Sequence, residues 1–383
     1  SAALAWTVSD EAFMEGTKDV LSKLKLRAGY GVTGQQEIGD YQYLTTYSFS
    51  TNPNNTYLGT TLLKPNGYSP DLKWEQTATY NFAIDFGFLN NRINGSLEYY
   101  QKHTKDLLNT VSAPAGTNFT NQITANVGEM KNKGVEFNIN AMAIQSKDFS
   151  WNLGYNVTWN DSKIIKLTAN YNPEYQGINA GTNQKHQINQ KPNTFYLFQQ
   201  VYDKNGKPIQ NAFVDRNGDG NITEADRYLT GKSPMAKVFM GLSSEFTYRN
   251  WDLGFNLRAN FGNYVFNALA AGNSTTNNYG GKGFLVNYYE GIYKTGFTKI
   301  NSTEQGASDL FLENASFLKM DNITLGYSFK KLFTNRLSGR ISASVQNVFT
   351  ITKYSGLDPE VSAIDGNMWP RPRVFNVGIN LNF

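Results

Sequence analysis

The stretch whose residue types and spacing most plainly suggest chemistry is Asp215-Arg216-Asn217-Gly218-Asp219-Gly220-Asn221-Ile222-Thr223-Glu224-Ala225-Asp226. Oxygen-bearing side chains stand at loop positions 1, 3 and 5, glycine at 6, an apolar residue at 8 and a carboxylate at 12, the order in which a loop wraps a hard cation. The expected ion is Ca²⁺ in a structural role. Its ligands would be the side chains of Asp215, Asn217, Asp219 and Asp226 and the main-chain carbonyl of Asn221. Asp226 departs from the pattern, because the usual glutamate reaches the ion with both oxygens and a shorter aspartate must come closer or act through water. The competing reading of the same residues is a run of Asx turns on a solvated loop, with no ion.

Other constellations are poorer. The two histidines, His103 and His186, have neither metal-ligand spacing nor a nucleophile nearby and are read as exposed and solvated. No cysteine is present, so thiolate metal sites, disulfides and cysteine nucleophiles are excluded. Asp358 and Glu360 could be imagined as an acid and a base, but they sit in a turn-like Gly356-Leu357-Asp358-Pro359 segment. Gly280-Gly281-Lys282-Gly283 lacks the preceding strand and the Lys-Ser/Thr of a phosphate loop. No enzyme is expected. A net charge of +4 without a basic run leaves nucleic-acid binding no electrostatic footprint.

The elements that must carry these residues are strands. Thr77 to Phe88 sets Ala78, Tyr80, Phe82, Ile84, Phe86 and Phe88 against Thr77, Thr79, Asn81, Ala83, Asp85 and Gly87. Phe149 to Asn160 and Trp251 to Phe261 alternate in the same way, and no helix produces a period of two. Weaker versions cover roughly 22 to 32, 92 to 103, 133 to 144, 237 to 248, 317 to 329, 337 to 349 and 373 to 383, about ten strands in all. Aromatics make up 14% of residues and charges only 17%, yet the mean hydropathy is −0.48 and no apolar run is long enough for a transmembrane helix. That balance suits strands showing lipid on one face and water on the other.

The connections alternate between short and long. Short ones fall at Leu89-Asn90-Asn91, Gln145 to Asp148, Arg249-Asn250 and Lys330 to Arg336; long ones at roughly 33 to 73, 104 to 132, 161 to 236, 263 to 316 and 350 to 372. A soluble sandwich has no reason to alternate, and its loops rarely exceed about 15 residues. A membrane barrel does, with tight periplasmic turns and long extracellular loops. The alternation sends the last strand downward and puts Phe383 at the periplasmic side. Trp74, Tyr99, Tyr100, Trp151, Trp159, Tyr248 and Trp251, near strand ends, would form the interfacial girdles.

Several segments, in order along the chain, carry a family resemblance: Leu24-Lys25-Leu26-Arg27-Ala28-Gly29-Tyr30-Gly31, Pro70-Asp71-Leu72-Lys73-Trp74-Glu75, Asn132-Lys133-Gly134-Val135-Glu136, Asp215 to Asp226, Phe317 to Tyr327, Val345-Gln346-Asn347-Val348-Phe349 and the terminal Phe383. On these the chain resembles the C-terminal region of SusC-like, TonB-linked outer-membrane proteins of Bacteroidetes. The resemblance implies an all-β, antiparallel transmembrane β-barrel, of which residues 1–383 are the C-terminal portion; the complete barrel would have about 22 strands and hold an N-terminal plug. It also implies the outer membrane of a Gram-negative bacterium, a SusD-like surface lipoprotein as partner, and energy from TonB through an N-terminal part not in this sequence. The cargo would be oligosaccharides or oligopeptides. No signal peptide opens the chain, so an N-terminal part is expected to be missing. Residues 161–236 are expected to be one long extracellular loop built around the calcium-type motif. The alternative from another class is a secreted or surface all-β binding module with calcium-stabilised loops, which requires the apolar strand faces to pack on one another.

Overall fold

The computed structural model describes residues 1–35, 40–49, 56–57, 60–61, 63–113, 115–167, 177–276, 289–298, 304–332, 337–366 and 369–382. Period-2 sequence becomes a single antiparallel sheet of eleven strands whose spatial order is their order in the chain. The strands are β1 (Ala2–Thr7), β2 (Leu21–Gln35), β3 (Glu75–Phe88), β4 (Ile93–Ser112), β5 (Gln122–Gln145), β6 (Phe149–Leu167), β7 (Val238–Tyr248), β8 (Trp251–Phe261), β9 (Phe317–Leu332), β10 (Leu337–Thr352) and β11 (Val374–Asn382). Among the described residues, β1 pairs only with β2 and β11 only with β10, so both edges are open.

Register decides which face each side chain joins. Leu97 on β4 lies opposite Phe137 on β5, which lies opposite Val157 on β6; Tyr99, Val135 and Trp159 form the next such row. Because directly opposed residues point the same way, these rows build one continuous apolar face. Its members stay exposed: Phe82 is 56% accessible, Phe375 72% and Val377 78%. Among the described residues these apolar strand faces do not pack on one another, which is the packing the binding-module alternative needs. The other face carries Arg27, Asn81, Asp85, Glu98, Asn156, Asp252 and Arg340. At about 3.4 Å per residue and a tilt near 40°, the eleven residues of β7 rise about 28 Å, enough for an apolar band of about 25 Å.

The short turns among the described residues behave as the sequence predicts; residues 333–336 of the Lys330 to Arg336 turn lie outside them. Leu89, Asn90 and Asn91 all take positive φ between β3 and β4, as does Arg249 between β7 and β8. Asparagine tolerates this left-handed region better than other residues with a Cβ. The long connections are shorter than predicted where strands run on past their apolar rows. β4 and β5 continue to Ser112 and from Gln122, so the predicted 104 to 132 connection is mostly hairpin. β6 likewise continues to Leu167. These extensions lack the strict alternation of the rows below them, and part of their apolar content is buried among themselves, with Val111, Ala125 and Leu167 packed on Val127 and Ile178. Gly280 to Gly283 and Phe383 lie outside the described residues.

The girdle expectation needs one correction. Tyr99 and Trp159 face outward at one end of the apolar rows, within strands that run on past them, and Trp151, Tyr248 and Trp251 face outward at the other, where Trp251 packs on Tyr327 with centroids 4.8 Å apart. Tyr100 points inward instead. Its ring lies over Gly134 of β5, and its hydroxyl accepts a 2.6 Å hydrogen bond from Asn160 Nδ2 on β6.

Candidate functional site: the inner wall and its loop cap

The inner face of the sheet is a polar wall crossed by several ion pairs. Arg27 grips Asp85 with two hydrogen bonds of 3.0 and 2.9 Å and reaches Glu98 at 3.5 Å. Arg340 of β10 forks onto Asp252 of β8 across the one intervening strand, β9. The remaining wall presents the amides and hydroxyls of residues such as Asn138, Asn256, Asn322 and Ser96, joined by bonds such as Asn256 Nδ2 to Asn322 Oδ1 at 3.1 Å. Such a surface can solvate a polar chain.

On the long-loop side, the connections fold into a cap. Phe195 and Leu197 from the 177–236 segment pack with Phe266, Ala270 and Ala271 after β8 and with Phe311 and Leu312 before β9. A second cluster joins Val265 and Ala315 to Tyr354 and Val361 of the final loop, and a third joins Phe198, Phe213 and Ala307. Each of the fully buried large side chains contributes about 2 kcal/mol, so the loops hold one another without a ligand. Polar cross-links fix their register. The amides of Phe198 and Asp309 bond the carbonyls of Ala307 and Phe198, and Asp309 accepts from the Gln200 amide at 2.9 Å and the Tyr228 hydroxyl at 2.7 Å. Tyr354 donates to Asp365 at 2.6 Å. Burial first, and then the partner carboxylate, push the proton affinities of Tyr228 and Tyr354 well above the ordinary phenol.

An ionic cluster ties cap to wall. Glu360, in the loop between β10 and β11, accepts from Arg258 of β8 at 2.7 Å, from Lys319 of β9 at 2.8 Å and from Arg371 at 3.3 Å. Arg258 also forks onto Asp321, the extra residue of a bulge in β9, and Arg371 reaches Asp358 at 2.8 Å. Burial opposes ionisation of Glu360, yet Arg258 and Lys319 hold it below the usual carboxylate range. Asp358 and Glu360 are therefore engaged as ion-pair acceptors and not as an acid and base facing one another. Sequence reading missed this cluster, since Arg258 and Glu360 are 102 residues apart and no local pattern links them.

The acidic loop is compact. Asp226 is buried, with Oδ1 accepting from the Arg216 amide at 2.8 Å and Oδ2 from the Thr223 amide at 2.7 Å; the Thr223 bond first, against burial, lowers its pKa. Asp215 accepts from the amides of Gly218 and Gly220 at 2.7 and 2.8 Å, and Gly220 takes φ +80° at the sharp turn. Asn217 and Asp219 bond each other at 2.8 Å, and Asp219 Oδ1 accepts from the Asn221 amide. Among the described residues, no group of three or more His, Cys, Asp or Glu is arranged as a metal cluster.

The histidines are less solvated than expected. His103 lies 3.0 Å from Glu129, and half-buried His186 accepts from the Asn193 amide, its pKa lowered by burial. Of the loop aromatics that could stack on a sugar or pack on a partner, Tyr289 packs on the cap core and Trp369 is 92% exposed; Tyr171, Tyr175, Tyr279 and Tyr288 lie outside the described residues.

Residues 1–348 match the family model described as TonB dependent receptor-like, β-barrel. The chain is 45% identical over 404 aligned positions to the TonB-dependent receptor SusC of Bacteroides thetaiotaomicron, covering all of this chain and 40% of that one. It is 30% identical to TonB-dependent receptor P39 of Formosa agariphila, covering 99% and 42%. The solved RagAB peptide transporter superposes with a TM-score of 0.81 at 25% identity, over the whole of this chain and 43% of that one. The chain thus spans about two fifths of the length of the curated relatives it matches.

Proposed function

The chain belongs to the TonB-dependent receptor β-barrel family of Gram-negative outer membranes, and from that premise we propose that it is the C-terminal portion of a SusC-like importer. In this reading, residues not present here close the eleven strands into a barrel of about 22 and supply the plug and the contact with TonB. A SusD-like lipoprotein covers the loop cap. The cargo is a large polar nutrient, an oligosaccharide or an oligopeptide. The observation that carries the reading is the two-faced sheet: a continuous apolar face backs onto a polar wall crossed by ion pairs. Resemblance to SusC and to the RagAB peptide transporter supports the class of activity and leaves both cargoes in play. The test is uptake by cells carrying the full-length protein, with labelled oligosaccharides and oligopeptides offered separately. Saturable uptake of one class, abolished by deleting TonB, is expected; uptake indifferent to TonB would overturn the proposal.

The acidic loop is proposed as a structural Ca²⁺ site. Support comes from the order of Asp215, Asn217 and Asp219, the turn at Gly220, and the return of Asp226 to the amides of Arg216 and Asn217, which brings loop position 12 beside positions 2 and 3. A bound ion would be held by the side chains of Asp215, Asn217, Asp219 and Asp226 and by the Asn221 carbonyl. It has no part in moving cargo.

A further inference from the structure

The lysines of this chain form no basic run in the sequence, but strand register gathers several of them on the outward face. His103, Lys131 and Lys163 are directly opposed across β4, β5 and β6, and Gln101, Lys133 and Asp161 form the row below. Lys105 extends the column on β4, and Lys166, beyond a bulge in β6, lies opposite Glu129. Immediately beneath stand Tyr99, Val135 and Trp159, the outward aromatic and apolar row.

We propose that Lys105, Lys131, Lys133, Lys163 and Lys166 form a docking surface for the phosphate-bearing headgroups of outer-leaflet lipids. Height is the first argument. Along β6, Asp161 and Lys163 lie two and four residues beyond Trp159, about 5 and 10 Å above it once strand tilt is included. The headgroup layer adds about 6 Å to each side of the hydrocarbon, so the ammonium groups stand at phosphate level and above acyl chains resting on Val135 and Val157. Charge is the second. All five lysines are exposed, and Lys105, Lys131, Lys133 and Lys163 form no ion pair among the described residues. Two carboxylates share the patch. Glu129 is taken up by His103 at 3.0 Å and Lys166 at 3.7 Å. Asp161 lies near the half-buried Lys191. The surface therefore remains cationic. Side is the third, since the long loops mark this end of the strands as extracellular.

The inference rests on the outward face being the lipid face. Were that wrong, the full-length protein would stay monodisperse without detergent, an outcome separate from those below. The test is native mass spectrometry of the full-length transporter in non-ionic detergent, titrated with diphosphoryl lipid A, its dephosphorylated counterpart, or inorganic phosphate. Diphosphoryl lipid should bind selectively. Replacing Lys131, Lys133, Lys163 and Lys166 by glutamine should weaken it roughly fivefold per lysine, on the order of a hundredfold or more together. The matched replacement of Lys25, Lys102, Lys204 and Lys207, on the inner wall and cap, should leave binding unchanged. Equal binding of the dephosphorylated lipid, unchanged affinity in the outward variant, or displacement by inorganic phosphate at equal concentration would overturn the proposal. If the outward variant does not assemble, wild-type affinity decides: it should fall steeply with salt, and salt-independent binding overturns the proposal.

Discussion

At Val157 and Asn156, neighbours on β6, the same substitution meets two solvents. Val157→Arg sets a charge between Trp151 and Trp159 on the apolar face and should cost about 2 to 4 kcal/mol, impairing assembly; Phe82→Arg on β3 should act likewise. Asn156→Arg and Asn81→Arg point to the polar wall and should be tolerated. Urea unfolding of the full-length protein in lipid vesicles measures both, and equal losses on the two faces would contradict the assignment. Gly134 makes a second point at this scale. A methyl group there would stand 2.6 Å from both the Trp159 carbonyl oxygen and the Tyr100 ring, with backbone on one side and a locked ring on the other. Gly134→Ala should therefore cost about 1 to 3 kcal/mol in the same assay, whereas Gly134→Ala with Tyr100→Ala should recover part of that loss.

At the scale of elements, strands were legible and loops were not. Alternation at Thr77 to Phe88 is visible because each side chain there meets one of two solvents, and the structure returns that strand as β3 with the same two faces. Phe195, Phe266 and Phe311 show no period. They belong to two loops that bury one another, and Phe266 and Phe311 are 45 positions apart within theirs, beyond the reach of a sequence window. Glu360 illustrates the consequence, because its partners come from β8 and β9. Glu360→Gln removes the charge that Lys319, itself almost fully buried, depends on; it should loosen the 353–366 loop by on the order of 3 kcal/mol. Hydrogen exchange confined to that loop would register the change, and unaltered protection would contradict the clamp. Glu360 has its pKa lowered in the fold, so its stabilisation is complete above the unfolded value near 4.3 and is lost as pH falls through the folded value. Acid should open the loop and mild alkali should not. The acidic loop supplies a further test: if it holds Ca²⁺, chelator should raise protease cleavage between roughly 200 and 235 while the barrel stays folded, and Asp219→Ala should reproduce the effect. Cleavage indifferent to chelator would leave the Asx-turn reading, in which the amides that hold Asp215 and Asp226 suffice.

At the scale of the molecule, everything turns on the sheet being a wall between lipid and water. Sequence alternation, an apolar face and a polar face, and a cap of interlocked loops at one end all follow from that one arrangement, and so does the position of the lysine patch. These 383 residues contain no cysteine, which allows the faces to be read directly. Single cysteines placed at Phe82, Val157 and Ile379 and at Asn81, Asn156 and Ser342, in the full-length protein reconstituted in vesicles, can be probed with a membrane-impermeant maleimide and a lipid-soluble one. The account predicts that the first three react only with the lipid-soluble reagent and the second three with the water-soluble one. Ready labelling of Phe82, Val157 and Ile379 positions by the water-soluble reagent would contradict it.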